Sequence, residues 1–158
     1  MIPLSQIRDL VVRPALQAIN AWTPAAEILV IGTGLQESGY AALAQDGGPA
    51  LGFWLMEPAT ATDIWDNYLA YQNPLSLRIT ALVAEEQDKI AQLTWNLQYG
   101  AAMCRIKYLR APDPLPAAAD LEGMAAIYKK IYNSPQGAAT PAEFINKATA
   151  YGLMNLNT

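Results

Sequence analysis

The sequence contains no histidine, and that absence excludes several chemistries at once. Ser-His-Asp and Cys-His nucleophilic sites need an imidazole base, and His-bearing zinc sites need an imidazole ligand. Acid–base work near neutral pH therefore falls to a carboxylate, a tyrosine or a lysine with a displaced pKa. Cysteine is almost absent too. Cys104 stands alone, so no disulfide can form within the chain, and its place on an apolar helical stripe reads as a small buried core residue. Charged residues make up only 15% of the chain and sum to −4, which argues against nucleic acid, since phosphate binding is driven by clustered Lys and Arg. Lys107, Arg110, Lys129 and Lys130 come nearest to a basic patch and read as solvated helix faces.

Long apolar runs are missing as well. None approaches the roughly 18–20 residues that a membrane-spanning helix requires, so no membrane insertion is expected. The opening Met1-Ile2-Pro3-Leu4 carries no basic region ahead of an apolar segment, and no signal peptide is read there. Repeats, low-complexity tracts and long linkers are not found. What is present is a 158-residue chain with 53% hydrophobic residues, enough for one domain spanning residues 1–158 with a real core.

The patterning predicts a mainly α fold of about seven helices with at most one short β-hairpin. The first helix is expected from about Leu4 to Ala21. Thr23-Pro24 then supplies an N-cap followed by proline at the first helical position. From there to about Ser38 the chain is apolar on nearly every side, as in a helix at the centre of a fold. Gly39 ends it, and Gln45-Asp46-Gly47-Gly48-Pro49 is dense in turn formers. A helix after Pro58 is stopped by Asn73-Pro74, and a short one follows. Residues 87 to 110 read as one long buried helix, with Ile90, Leu93, Leu97, Ala101, Cys104 and Tyr108 on one stripe and Trp95, Tyr99, Ala102 and Ile106 on a second. Asp120 is placed to cap a helix with Met124, Ala125, Tyr128, Ile131 and Tyr132 on its face. Thr140-Pro141-Ala142-Glu143 forms a capping box that opens the last helix.

One residue stands out against this apolar background. Glu37 falls in the last turn of the central helix, with Gly34, Thr33 and Val30 on the same face as small or apolar neighbours that leave room for a space. Burial raises a carboxyl pKa, and the negative end of a helix raises it further. A protonated carboxylic acid in a cleft is the tool for donating a proton to a glycosidic oxygen. The spacing alone fits a solvent-exposed Glu at a helix end better.

Four separated segments resemble, in order, the pattern of lytic transglycosylases of the lysozyme-like superfamily. Glu37-Ser38 resembles the Glu-Ser pair that closes the catalytic helix. The run Gly52-Phe53-Trp54-Leu55-Met56-Glu57-Pro58-Ala59-Thr60-Ala61 resembles the Gly-Leu-Met-Gln-x-Met-Pro-Ala-Thr-Ala stretch. Asn96, Tyr99, Gly100, Ala101 and Tyr108 resemble the long central helix, and Tyr132-Asn133 with Pro135 and Gly137 resembles the Ala-Tyr-Asn motif and its sequel. The wording around residues 48–54 and 132–137 is more similar to tailed-phage proteins than to bacterial cell-wall enzymes.

The resemblance implies a single lysozyme-like domain that cleaves the β-1,4 bond between N-acetylmuramic acid and N-acetylglucosamine. Glu37 would be the acid and then the base, and the muramoyl 6-hydroxyl would close on C1 to leave a 1,6-anhydro product. Ser38 would hold the local geometry, Tyr132 would place its hydroxyl near the acid or the sugar, and Asn133 would support that loop. Phe53 and Trp54 would offer stacking surfaces for sugar rings or, equally, serve as core aromatics. No cofactor and no metal are expected. The partners implied are a peptidoglycan strand and other virion proteins. The implied location is a phage virion, or the host cytoplasm before release, with action at the host cell wall.

Two positions depart from the pattern. Leu55 stands where the family has a substrate-binding glutamine, which leaves open an inactive descendant serving as a virion structural or adaptor protein. Glu57 replaces a methionine and adds a carboxylate near the expected cleft. With Asp46 in the preceding loop, it also leaves open ordinary hydrolysis, which uses a second carboxylate.

Overall fold

Pro14 sets the shape of the first helix. Lacking an N–H, it cannot bond the Leu10 carbonyl, and the turn before it widens into a π-helical stretch, Ile7–Val12. The side chain of Gln98 points its amide at the Leu10 carbonyl from across the fold, at 3.4 Å. The helix, α1, occupies residues 4–18 of this computed structural model, which describes residues 1–157. Thr158, the end of the carboxy-terminal tail, lies outside the described residues. The expected extension of α1 to Ala21 is replaced by a turn in which Asn20 takes φ +55°.

Thr23 starts the next helix, α2 (Pro24–Glu37), its hydroxyl accepting from the Ala26 N–H at 3.0 Å. Every residue from Ala26 to Gln36 is buried, so α2 is wrapped on all sides. Its first turn carries one charge inward. Glu27 is 3% exposed and is held by both Arg13 Nε and Nη2, at 2.7 and 2.8 Å, and by the Trp22 indole N–H. Glu37 is the last helical residue, and Gly39 at φ +61° turns the chain away.

A compact double turn follows instead of a hairpin with strands. Isolated antiparallel bridges pair Ala44 with Leu51 and Leu51 with Met56. Gly52 is obligatory there, because its φ of +76° favours glycine and a Cβ would run into the Leu93 carbonyl oxygen. Helix α3 (Pro58–Asn67) and, after a 3₁₀ turn at Leu69–Tyr71, helix α4 (Asn73–Thr80) come next.

The helix expected over residues 87–110 is broken. It divides into α5 (Gln92–Trp95) and α6 (Leu97–Arg110), and this division makes eight helices among the described residues, 3₁₀ turns aside, where seven are expected. Asn96 causes the break by acting as an N-cap: its Oδ1 accepts from the Tyr99 N–H at 3.2 Å, while its amide donates to the Leu82 carbonyl at 2.8 Å. Gln92, fully buried, accepts from the Ala84 N–H and donates to the Ala84 and Gln87 carbonyls. Two side-chain amides thus organise the loop that the apolar stripe reads as helix. Trp95, expected on a buried stripe, is 49% exposed in consequence.

Asp120 caps α7 (residues 121–133), which continues past Ile127 as a π-helical turn, Tyr128–Asn133. The capping box of Thr140 and Glu143 opens α8 (Pro141–Ala150), and a 3₁₀ turn, Leu153–Asn157, completes the described chain. A single contiguous core joins α1, α2, α6, α7 and α8, and the fold is mainly α with no strand or sheet among the described residues. Cys104 lies wholly within that core.

The Asn96 cap has a measurable worth. Replacing Asn96 by Ala removes an N-cap and a donor to a loop carbonyl and is expected to cost about 1–3 kcal/mol in denaturant unfolding. Asn96→Asp keeps the cap acceptor and should cost less. Equal losses in the two variants would show that the bond to Leu82, rather than the cap, carries the effect.

Candidate active site

The carboxyl end of α2 opens into a cavity of about 570 Å³. One wall is the double turn and the start of α3, contributing Gln45, Leu55, Glu57 and Thr60, and the other is the π-helical end of α7, contributing Tyr132, Asn133 and Ser134. Glu37 lies between them, partly buried, with Lys107 of α6 also lining the space.

Glu37 is held by a tyrosine. The Tyr128 hydroxyl donates to Glu37 Oε1 at 2.7 Å. Burial pushes the Glu37 carboxyl above its ordinary range. The Tyr128 hydrogen bond and the positive charges of Lys107 and Lys147 pull the other way, and burial wins. Tyr128 is raised in turn, by burial first and then by the charge and hydrogen bond of Glu37, so it remains a donor. Lys107 is lowered by its own burial, against the pull of Cys104, Glu37 and Glu57. Its ammonium donates to the Tyr132 carbonyl at 2.8 Å and sits 4.2 Å from the centre of the Tyr132 ring.

The predicted site residues divide into three groups. Glu37, Glu57, Tyr132 and Asn133 line the cavity together. Ser38 stands just behind it: its Oγ donates to the Phe53 carbonyl at 2.7 Å and accepts from the Tyr40 N–H at 3.1 Å, fixing the double turn to the end of α2. Asp46, Phe53 and Trp54 are not among the lining residues. Asp46 is exposed on the turn. Phe53 and Trp54 are 6% and 2% exposed, and the Trp54 indole donates to the Val30 carbonyl at 2.9 Å, so both are core aromatics rather than sugar platforms.

The Tyr132 hydroxyl is also engaged elsewhere. It donates to the Trp54 carbonyl at 2.6 Å, and the tyrosine that reaches the acid is Tyr128, one turn earlier. Apolar periodicity assigns Tyr128 to a core face and gives no sign of this. The π-helical turn shifts the register there, as π-bulges often do at functional sites. The space beside Glu37 does not come from Gly34 either, since the Tyr40 ring packs directly onto that glycine. It comes from the separation of the two walls. Lys107, read as a solvated residue, is part of the site, and its place beside Cys104 and Tyr108 on the buried stripe was the available signal. Leu55 lines the wall at φ +42°, a left-handed conformation uncommon for a branched side chain.

Among the described residues no group of three or more metal-ligating side chains comes together, and no helix is long and apolar enough to cross a membrane. No family model, curated protein or solved structure matches the chain.

The raised pKa of Glu37 has a stability consequence. A carboxyl that binds its proton more tightly when folded stabilises the fold fully below its unfolded pKa, near the ordinary 4.5, and that contribution is lost as pH rises through the folded value. Glu37→Gln cannot ionise and can still accept from Tyr128. Its melting temperature relative to the parent should therefore rise as pH increases from about 4 to 8. A difference independent of pH would mean that Glu37 is not perturbed.

Proposed function

We propose that this chain is a peptidoglycan-cleaving lytic transglycosylase of phage type, acting on the β-1,4 bond between N-acetylmuramic acid and N-acetylglucosamine. One observation carries the reading: the Glu37 carboxyl, its pKa raised by burial and its Oε1 held by Tyr128, faces a cavity large enough for sugar rings.

In the proposed reaction Tyr128 engages Oε1, and Oε2 carries the proton. Glu37 gives that proton to the glycosidic oxygen, and the bond from that oxygen to muramoyl C1 breaks. The N-acetylglucosamine end leaves as an alcohol, and positive charge develops at C1. The carboxylate then takes the proton of the muramoyl 6-hydroxyl as O6 bonds to C1, which closes the 1,6-anhydro ring and returns Glu37 to its starting state. Lys107, near the acid, favours the transient carboxylate. Neither water nor a second carboxylate is consumed. The phage-like wording favours a role in cell-wall penetration or lysis, in the virion or at the end of infection.

Two features favour other readings. Glu57 shares the cavity with Glu37, which supplies the second carboxylate that hydrolysis uses. Leu55 puts an apolar side chain in the wall where the resembled family has glutamine, as an inactive structural or adaptor protein would.

Incubation with purified peptidoglycan and mass analysis of the released sugars tests all three. Anhydromuropeptides are expected. Reducing-end muropeptides would replace the reading by hydrolysis, and no release would replace it by the structural role. General acid catalysis is worth about 10²–10⁴-fold, so Glu37→Gln should lower the rate by at least that range. Leu55→Gln should raise it, and an unchanged rate would remove any role for that position.

A further inference from the structure

A second cavity, of about 520 Å³, lies between the α1–α2 turn, the end of α3 and the start of α4, and it is floored by Arg105 of α6. Arg105 and Lys107 are two residues apart on one helix, which places them roughly 200° around its axis. The two cavities therefore use opposite faces of α6.

Arg105 is the unusual member. It is 7% exposed, and its Nε donates to the Ala21 carbonyl at 3.0 Å. Among the described residues no carboxylate forms an ion pair with it. Buried charges are normally paired, because an unpaired one loses its hydration without a counter-charge to replace it. Glu27 is close in sequence to Ala21 but is taken up by Arg13 and Trp22. A second cation, Arg78, lines the same cavity, so positive charge converges there in a chain whose net charge is −4. With Nε engaged, the two terminal nitrogens of Arg105 remain as a planar fork, the shape that receives a carboxylate through two parallel hydrogen bonds. The remaining walls are largely apolar or aromatic, including Trp22, Leu75 and Leu109. A ligand suited to this site carries one carboxylate on an apolar body.

We propose that this cavity is a binding site for a peptide C-terminal carboxylate, held by Arg105 and Arg78 with its last side chains against Trp22 and Leu75. The site is separate from Glu37 and does not depend on the proposed catalytic activity.

The probe is acetyl-trialanine, as its free acid and as its C-terminal amide, titrated into the full chain while Trp22 and Arg105 are followed by ¹H–¹⁵N NMR. The free acid should give saturable shifts at both residues. The amide and inorganic phosphate should each bind about tenfold more weakly or not at all, since a charge-assisted pair of bonds is worth at least that factor. Arg105→Lys keeps the charge but loses the fork and should also weaken the free acid about tenfold. Arg78→Gln, at an exposed position, should weaken it by less and guards against a folding defect in the Arg105 variant. Glu37→Gln should bind the free acid unchanged.

No saturable shift at millimolar free acid would overturn the proposal. Equal binding of the amide would do so too, as would phosphate binding as tightly as the free acid, or a folded Arg105→Lys variant that retains full affinity.

Discussion

The hydrogen bond from Tyr128 to Glu37 joins the carboxyl end of α2 to the π-helical turn of α7, and the electrostatics of the cavity follow from it. A carboxyl at the end of an enclosed helix would lose nearly all its hydration. The Tyr128 donor, with the more distant charges of Lys107 and Lys147, returns part of that loss, and burial still holds the carboxyl pKa above its ordinary value. An arginine in place of Tyr128 would have produced an ion pair and a permanently ionised group. A phenylalanine would have left the oxygen unsatisfied. The tyrosine is tuned between those outcomes, and its own ionisation is suppressed by burial first and then by the charge it contacts.

Around that pair the aromatic residues are arranged as support. Tyr108 and Tyr132 stack with ring centres 5.6 Å apart, and Tyr128 packs between Tyr132 and Phe144. The Tyr108 hydroxyl meets Thr33 Oγ1 at 2.7 Å inside α2, so the stack is fixed to the helix that carries the acid. Each buried hydroxyl in the group has a partner, as a low-dielectric interior requires.

Local signals in the sequence marked much of the fold. Thr23-Pro24, Asp120 and Thr140-Pro141-Ala142-Glu143 each place an oxygen or a ring at a helix start, and each of those helices begins there. The apolar surround of α2 is equally visible, because a helix with no polar face has to be central. The break at Asn96 was not visible, since Ile90, Leu93 and Leu97 keep helical spacing across it and the interruption depends on side-chain amides reaching back to Leu82 and Ala84 in the preceding loop. The site was legible in the same uneven way. Glu37 was marked by contrast with its neighbours. Tyr128, Lys107 and the separate uses of the Trp54 and Tyr132 polar groups depend on tertiary contacts and on a shift of helical register, which periodicity does not carry.

Trp54 is bound at both of its polar ends, its indole to the Val30 carbonyl of α2 and its own carbonyl to the Tyr132 hydroxyl of α7. A single residue thereby clasps the two sides of the cleft to the helix beneath them. Spreading the sides apart would strip two buried hydrogen bonds together, so the opening behaves as a jaw of set width. A ligand would then meet a preformed shape, and its capture would depend on fit rather than on a gate that opens and shuts.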